Sequence, residues 1–236
     1  MQALRVERLS PDLSGVALQD LPVPQPRPGE VLVRVRATSL NYPDLLMTRG
    51  DYQFKPEVPF TLGLELAGEV VSAPDGSGFA PGDRVVGGAK TGGMADYAAL
   101  PATNLRRIPD GLSFAQAAAM GAAYSTAYTA LVEIGRLQPG QWVLVHGASG
   151  GVGLAACDLA VELGAKVIAA TTRAEKLERI IMAVPVDAAM LNTGRFREEV
   201  ARLTDGSLCD IVFDPVGGDV FDESTRCVAF GGQLQV

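Results

Sequence analysis

The chain has 236 residues, 47% hydrophobic and 20% charged, a formal net charge of −7 and a sequence pI near 4.8. That length suits one large or two ordinary domains, and the acidic balance argues against nucleic acid or an anionic membrane as the main partner. No apolar run is long enough to span a bilayer, and the start, Met1 to Glu7, lacks the apolar core of a signal peptide.

Residues 1 to about 120 read as β-rich. The proline-rich stretch Pro22, Pro24, Pro26, Pro28, Gly29 is a loop leading into a half-buried strand, Val31 to Ala37, in which apolar residues alternate with Arg34 and Arg36. Leu66 to Ala73 is a second strand, closed by Pro74-Asp75-Gly76. Pro81-Gly82-Asp83 turns the chain into Arg84 to Gly87, and Gly92-Gly93 leads into Met94 to Leu100. Short strands at this spacing suggest a small barrel or sandwich. Ser113 is an N-cap for a helical region through Met120, and a second helix is expected from about Ser125 to Ile134.

The most informative stretch is Val143 to Lys176. An apolar strand (Val143, Leu144, Val145) runs into Gly147-Ala148-Ser149-Gly150-Gly151-Val152-Gly153, a helical pattern to Leu163 and a second apolar strand, Lys166 to Ala170. Strand, glycine turn, helix and strand make the dinucleotide-binding unit. The usual first glycine is Ala148. Gly150 allows close approach of a pyrophosphate, Gly153 allows the helix to lie close on the strand, and the helix N-terminus offers free N–H groups. An NAD site usually places a carboxylate after the second strand. Thr171, Thr172 and Arg173 stand there, with Lys176 one turn on. Hydroxyls and cations bind a 2′-phosphate that a carboxylate would repel, so the expected cofactor is NADPH.

The alternation continues with a helix to about Ala183, a strand Ala188 to Leu191, a helix Phe196 to Leu203 and a strand Asp210 to Asp214. A helix Val220 to Val228 and a strand Gln233 to Val236 are expected to end the chain. Strands alternating with helices imply a parallel sheet, with the first strand beside the switch point. The cysteines, Cys157, Cys209 and Cys227, form no C-x-x-C pair and read as buried residues in a reducing, cytoplasmic setting.

Several segments together resemble the zinc-independent quinone oxidoreductase branch of the medium-chain dehydrogenase/reductase superfamily. They are Leu40-Asn41-Tyr42-Pro43-Asp44, Pro59-Phe60 with Gly63 to Gly68, Pro81 to Val85, Thr126-Ala127-Tyr128, Gly147 to Gly153 and Asp214-Pro215-Val216-Gly217-Gly218. The resemblance implies a GroES-like β domain, residues 1–122, followed by a Rossmann NADP(H)-binding domain, residues 123–236. It implies hydride transfer from NADPH to a quinone, an enone or an enoyl thioester, and a possible homodimer. It places Thr126 near the nicotinamide, Ser149, Gly150, Gly151 and Val152 at the pyrophosphate, Thr171, Arg173 and Lys176 at the 2′-phosphate, and Val216 beside the nicotinamide ribose. Thr193 stands where the family often has a tyrosine.

The zinc-dependent branch of the superfamily has Cys at the position of Asn41 and His at that of Leu64. The sole histidine, His146, ends a strand of the nucleotide domain, so no metal is expected. Without a metal, hydrogen-bond donors must steady the oxygen that gains charge as hydride adds, and Asn41 and Tyr52 are the candidates. Glu65 reads as half-buried, and Asp44 as an organiser of loop backbone. Relatives of this kind continue past the last strand. The chain is therefore expected to be a fragment, a shortened form or one completed by a partner, and a nucleotide-binding protein with little turnover is the alternative to an enzyme.

Overall fold

The computed structural model describes residues 1–236, and the chain divides into two compact units, Met1–Ala122 and Ala123–Val236. In the first, strand β1 (Gln2–Val6) pairs antiparallel with β2 (Val16–Asp20). The long strand β3 (Glu30–Thr38) is followed by helix α1 (Tyr42–Arg49) and by β4 (Phe60–Thr61), which joins the other side of β1. Strands β5 (Glu65–Ser72), β6 (Arg84–Gly88), β7 (Tyr97–Pro101) and β8 (Leu105–Arg107) complete a five-stranded antiparallel sheet in the order β7-β3-β5-β6-β8. Alternation fills its inner face: Val31 and Val33 meet Leu66, Val70, Val85 and Leu100. Two register shifts between β3 and β5 bend this pair.

Helix α1 lies where the sequence suggested only a loop. Asn41 is its N-cap, the Asn41 backbone N–H donates to Asp44 Oδ2 at 2.9 Å, and Gly50 closes it in the left-handed region at φ 78°. Helix α2 (Phe114–Tyr128) corrects a second expectation. It runs unbroken into a π-helical turn, Thr129–Ile134, where two separate helices were anticipated. Its alanine-rich sequence offers no breaker, and Gly121 does not interrupt it.

The second unit is a five-stranded parallel sheet in the order β11-β10-β9-β12-β13. The strands are β9 (Trp142–Val145), β10 (Lys166–Thr171), β11 (Ala188–Leu191), β12 (Cys209–Phe213) and β13 (Val228–Gln235). The helices are α3 (Gly151–Glu162), α4 (Ala174–Ala183), α5 (Arg197–Leu203) and α6 (Asp219–Ser224). Val143, Val145, Val167 and Ala169 face Ala155, Ala156, Ala160 and Ile180 on one side, while Leu144, Ile168 and Val212 face Phe196, Val200 and Cys227 on the other. The strands are apolar throughout because both faces are covered. The order reverses between β9 and β12, which is where a doubly wound sheet receives ligands.

Near the end, α6 is shorter than expected and β13 begins at Val228 rather than Gln233. The β12–β13 register slips between Cys209, opposite Val228, and Ile211, opposite Gln233. Gly231, at φ 80°, lies among the extra residues, so the Gly231-Gly232 pair falls in a bulge inside the strand.

Candidate functional site

In the second unit the site grows from the turn after β9. Gly147 takes φ 60°, so the tight turn falls on Gly147, and Ala148 is a fully buried core residue. Gly150, extended at φ −87°, is the N-cap of α3. A Cβ on Gly153 would lie 2.2 Å from the Gly147 carbonyl oxygen, so only glycine lets the helix start this close to the strand. The first N–H groups of α3 have no helical partner, and nothing stands within 4 Å of a Cβ built on Gly151. An open, donor-rich helix end of this kind fits a pyrophosphate.

On one side of that turn, Ser149 Oγ lies 3.4 Å from Thr171 Oγ1, which ends β10 and is buried. A cavity of about 200 Å³ is lined by Ser149, Leu154, Lys176, Arg179 and Ile180. No carboxylate pairs with Lys176 or Arg179: the ion pairs of this unit are Arg202–Glu199 and Arg226–Glu223. Arg173 caps α4 and is exposed. Arg179, one turn beyond Lys176 on α4, joins the cavity wall and was not identified from the sequence.

On the other side a cavity of about 490 Å³ is lined in part by Thr126, Val152, Phe213 and Pro215. A Cβ on Gly147 would meet Val216 Cγ2 at 3.3 Å, so the loop after β12 packs over the glycine turn. Buried Asp214 holds that loop: its Oδ1 accepts the N–H groups of Val216 and Gly217 at 3.0 Å each, while Oδ2 has no partner. The buried ring of His146 packs on Phe196, with Nε2 3.0 Å from Ser224 Oγ. Loss of solvation pushes its pKa down to about 4, against a smaller upward pull from Asp214. That matches a packing residue at a strand end.

In the first unit Asn41 lines a cavity of about 400 Å³ with Leu4, Leu13, Leu40, Tyr42 and Leu62. Asn41 Nδ2 lies 2.9 Å from both Ser39 Oγ and Glu65 Oε1. Glu65 is buried, and beyond Asn41 it accepts hydrogen bonds from the Ser39 hydroxyl and, at 2.7 Å, from the Ala122 N–H. Asp44 accepts the N–H groups of Asn41 and Gly63, and burial dominates in raising its carboxyl above the usual range. Its oxygens are committed to backbone. Tyr52 packs, half-buried, against Val6, Met47, Phe60 and Leu62, and no hydrogen bond links it to Asn41.

A zinc ion does not fit these residues. Asn41 and Leu64 occupy the two positions in question, the three cysteines are buried in the second unit, and nowhere do three His, Cys, Asp or Glu side chains converge to hold a metal.

Comparison with known proteins agrees with this architecture. Residues 27–110 match the alcohol dehydrogenase GroES-like domain, and residues 151–236 match the family described as zinc-binding dehydrogenase. A quinone oxidoreductase-like protein 2 homolog from Nematostella vectensis is 43% identical over 209 residues, 87% of this chain and 57% of that protein. The crystal structure of a probable oxidoreductase from Mycobacterium abscessus superposes with a TM-score of 0.93 at 40% identity, over 99% of this chain and 74% of that one. The quinone oxidoreductase of Thermus thermophilus, whose structures include a complex with NADPH, gives 0.85 at 35% identity, over 99% and 72%. A GroES-like domain followed by a Rossmann-type parallel sheet defines a medium-chain dehydrogenase/reductase. Within that superfamily the chain belongs to the quinone oxidoreductase branch. It spans 57 to 62% of the length of the first curated relatives it matches.

Proposed function

We propose that the protein is a zinc-independent oxidoreductase that uses NADPH to reduce a quinone or an α,β-unsaturated carbonyl or enoyl thioester. The observation that carries this reading is the cavity at Ser149, where Lys176 and Arg179 converge without a carboxylate beside an open helix N-terminus. A 2′-phosphate supplies the charge these cations lack. Bound NADPH would supply the hydride. Gly150, Gly151 and the first N–H groups of α3 would hold its pyrophosphate. Thr171, Arg173, Lys176 and Arg179 would hold the adenosine phosphate, and Thr126, Val152 and Val216 would flank the nicotinamide half.

Hydride addition to the β-carbon puts negative charge on the substrate oxygen. An amide N–H of Asn41 would steady that oxygen, and the Tyr52 phenol would return a proton. The apolar wall of the Asn41 cavity, with Leu4, Leu40 and Leu62, suits a flat, weakly polar substrate. Turnover is tested by NADPH oxidation with 1,4-benzoquinone and with crotonyl thioester. Activity with either that falls on the order of 100-fold in Asn41→Ala supports the role of Asn41. Unchanged reduction by Tyr52→Phe removes Tyr52 from it, and no turnover with any acceptor refutes the reductase reading.

A further inference from the structure

Asn41 can donate to a ligand only if its amide is held the right way round, because its two ends carry opposite chemistry: Nδ2 donates and Oδ1 accepts. What fixes that orientation is legible in the hydrogen bonds. The Ser39 hydroxyl has one hydrogen and gives it to Glu65 Oε1. Ser39 Oγ and Glu65 Oε1 therefore both act as acceptors toward Asn41, each at 2.9 Å from Nδ2. An Asn41 turned end for end would put Oδ1 against the buried carboxylate, acceptor against acceptor, in a half-buried place where that repulsion is weakly screened.

Ser39 Oγ and Glu65 Oε1 are themselves bonded, so they lie together on one side of Nδ2. One N–H aimed between these two acceptors can serve both, because they stand close together as seen from Nδ2. The second N–H would then meet a ligand oxygen in the cavity that Asn41 lines.

We propose that Glu65 is a positioning residue for Asn41: its buried carboxylate, with Ser39, fixes the amide so that Asn41 meets a ligand as a donor. The carboxylate is in turn fixed by its own surroundings. Its Oε2 accepts the Ala122 N–H at 2.7 Å, and a Cβ on Gly121 would come within 2.4 Å of that oxygen. Residue 121 must be this small for the carboxylate to reach the backbone. The catalytic part of the inference rests on Asn41 facing substrate in the proposed reductase, whereas the orientation of the amide does not.

The decisive variant is Glu65→Gln. The glutamine keeps one oxygen for the Ala122 N–H but now presents an NH2 group to Asn41, which must turn over to accept from it. The ¹⁵N–¹H signals of the Asn41 side chain, identified by their loss in Asn41→Ala, report this directly. In the wild type one proton of the pair should be shifted downfield and slow to exchange, and the other should exchange fast. Glu65→Gln should lose that asymmetry at an unchanged thermal midpoint. With NADPH and 1,4-benzoquinone, kcat should fall on the order of 100-fold with little change in KM. Asn41 signals identical in Glu65→Gln and wild type would overturn the proposal. If the variant does not fold, the wild-type signals decide: two equally fast-exchanging protons would also overturn it. Absence of turnover in the wild type with the predicted NMR pattern intact would refute the reductase reading and leave the role of Glu65 standing.

Discussion

Replacing Gly153 by alanine puts a methyl carbon where the structure has none to spare. The new Cβ would lie 2.2 Å from the Gly147 carbonyl oxygen, 2.7 Å from its carbonyl carbon and 2.8 Å from the Ala148 Cα. All three are backbone atoms, so no side chain can swing aside. The shortest of these contacts is 1.2 Å below the 3.4 Å of an ordinary one, and helix α3 must lift off the turn by about that distance. Lifting it loosens Ala155, Ala156 and Ala160 from Val143 and Val145, which overpacking data value at about 1–3 kcal/mol. For a chain of this size the thermal midpoint should drop by roughly 3–10 °C. The same shift would carry the first N–H groups of α3 away from the proposed pyrophosphate position. Two weakened bonds to a charged group correspond to a 10- to 100-fold loss of NADPH affinity, on the order of 2 kcal/mol. Gly151→Ala is the control, because a Cβ there meets nothing within 4 Å. The assays are calorimetric titration with NADPH and thermal unfolding of both variants. A Gly153→Ala protein with wild-type affinity and midpoint would refute the close-approach argument.

Two further outcomes follow from side chains. Lys176→Ala and Arg179→Ala should each weaken NADPH binding about tenfold and leave NADH binding unchanged, measured by titration with the two cofactors. His146 is fully buried, and its pKa of about 4 in the folded chain lies below the ordinary 6.5, so the unfolded chain takes up its proton first as pH falls. The stability held by the neutral ring is complete above pH 6.5, is lost progressively below it, and levels off below about pH 4. Between pH 7 and pH 5 the loss is on the order of 2 kcal/mol. Unfolding of wild type and His146→Gln at both pH values should show the larger pH dependence in the wild type; equal dependence would contradict this assignment.

The nucleotide-binding half could be read from the sequence because its signals are local. Val143 to Val145, the glycine spacing and Lys166 to Thr171 lie within thirty residues, and each constrains the next. Helix α1 had equally local signals, Asn41, Asp44 and Gly50, but Asp44 reads from the sequence as an organiser of loop backbone, and Pro43 in fact stands in the first helical turn, where proline is tolerated. The bulge at Gly231 depends on register with β12, which no local pattern encodes. Arg179 follows Lys176 at helical spacing, yet which face of α4 meets the Ser149 cavity is settled by tertiary packing. Glu65 was hardest to interpret. Its partners come from two segments, Ser39 and Asn41 between β3 and α1 and Ala122 on α2, and they meet Glu65 of β5 only when these elements are in place.

The central claim is that this chain carries an NADPH site whose preference comes from cations unmatched by carboxylates. It is tested most directly by titrating the 236-residue protein with NADPH and with NADH and following cofactor emission. Trp142 is a poor reporter, since it begins β9 and the glycine turn follows that strand's other end. We expect NADPH to bind at least tenfold more tightly than NADH, with the difference shrinking as ionic strength rises. Equal affinity for the two cofactors, or no binding of either, would contradict the account.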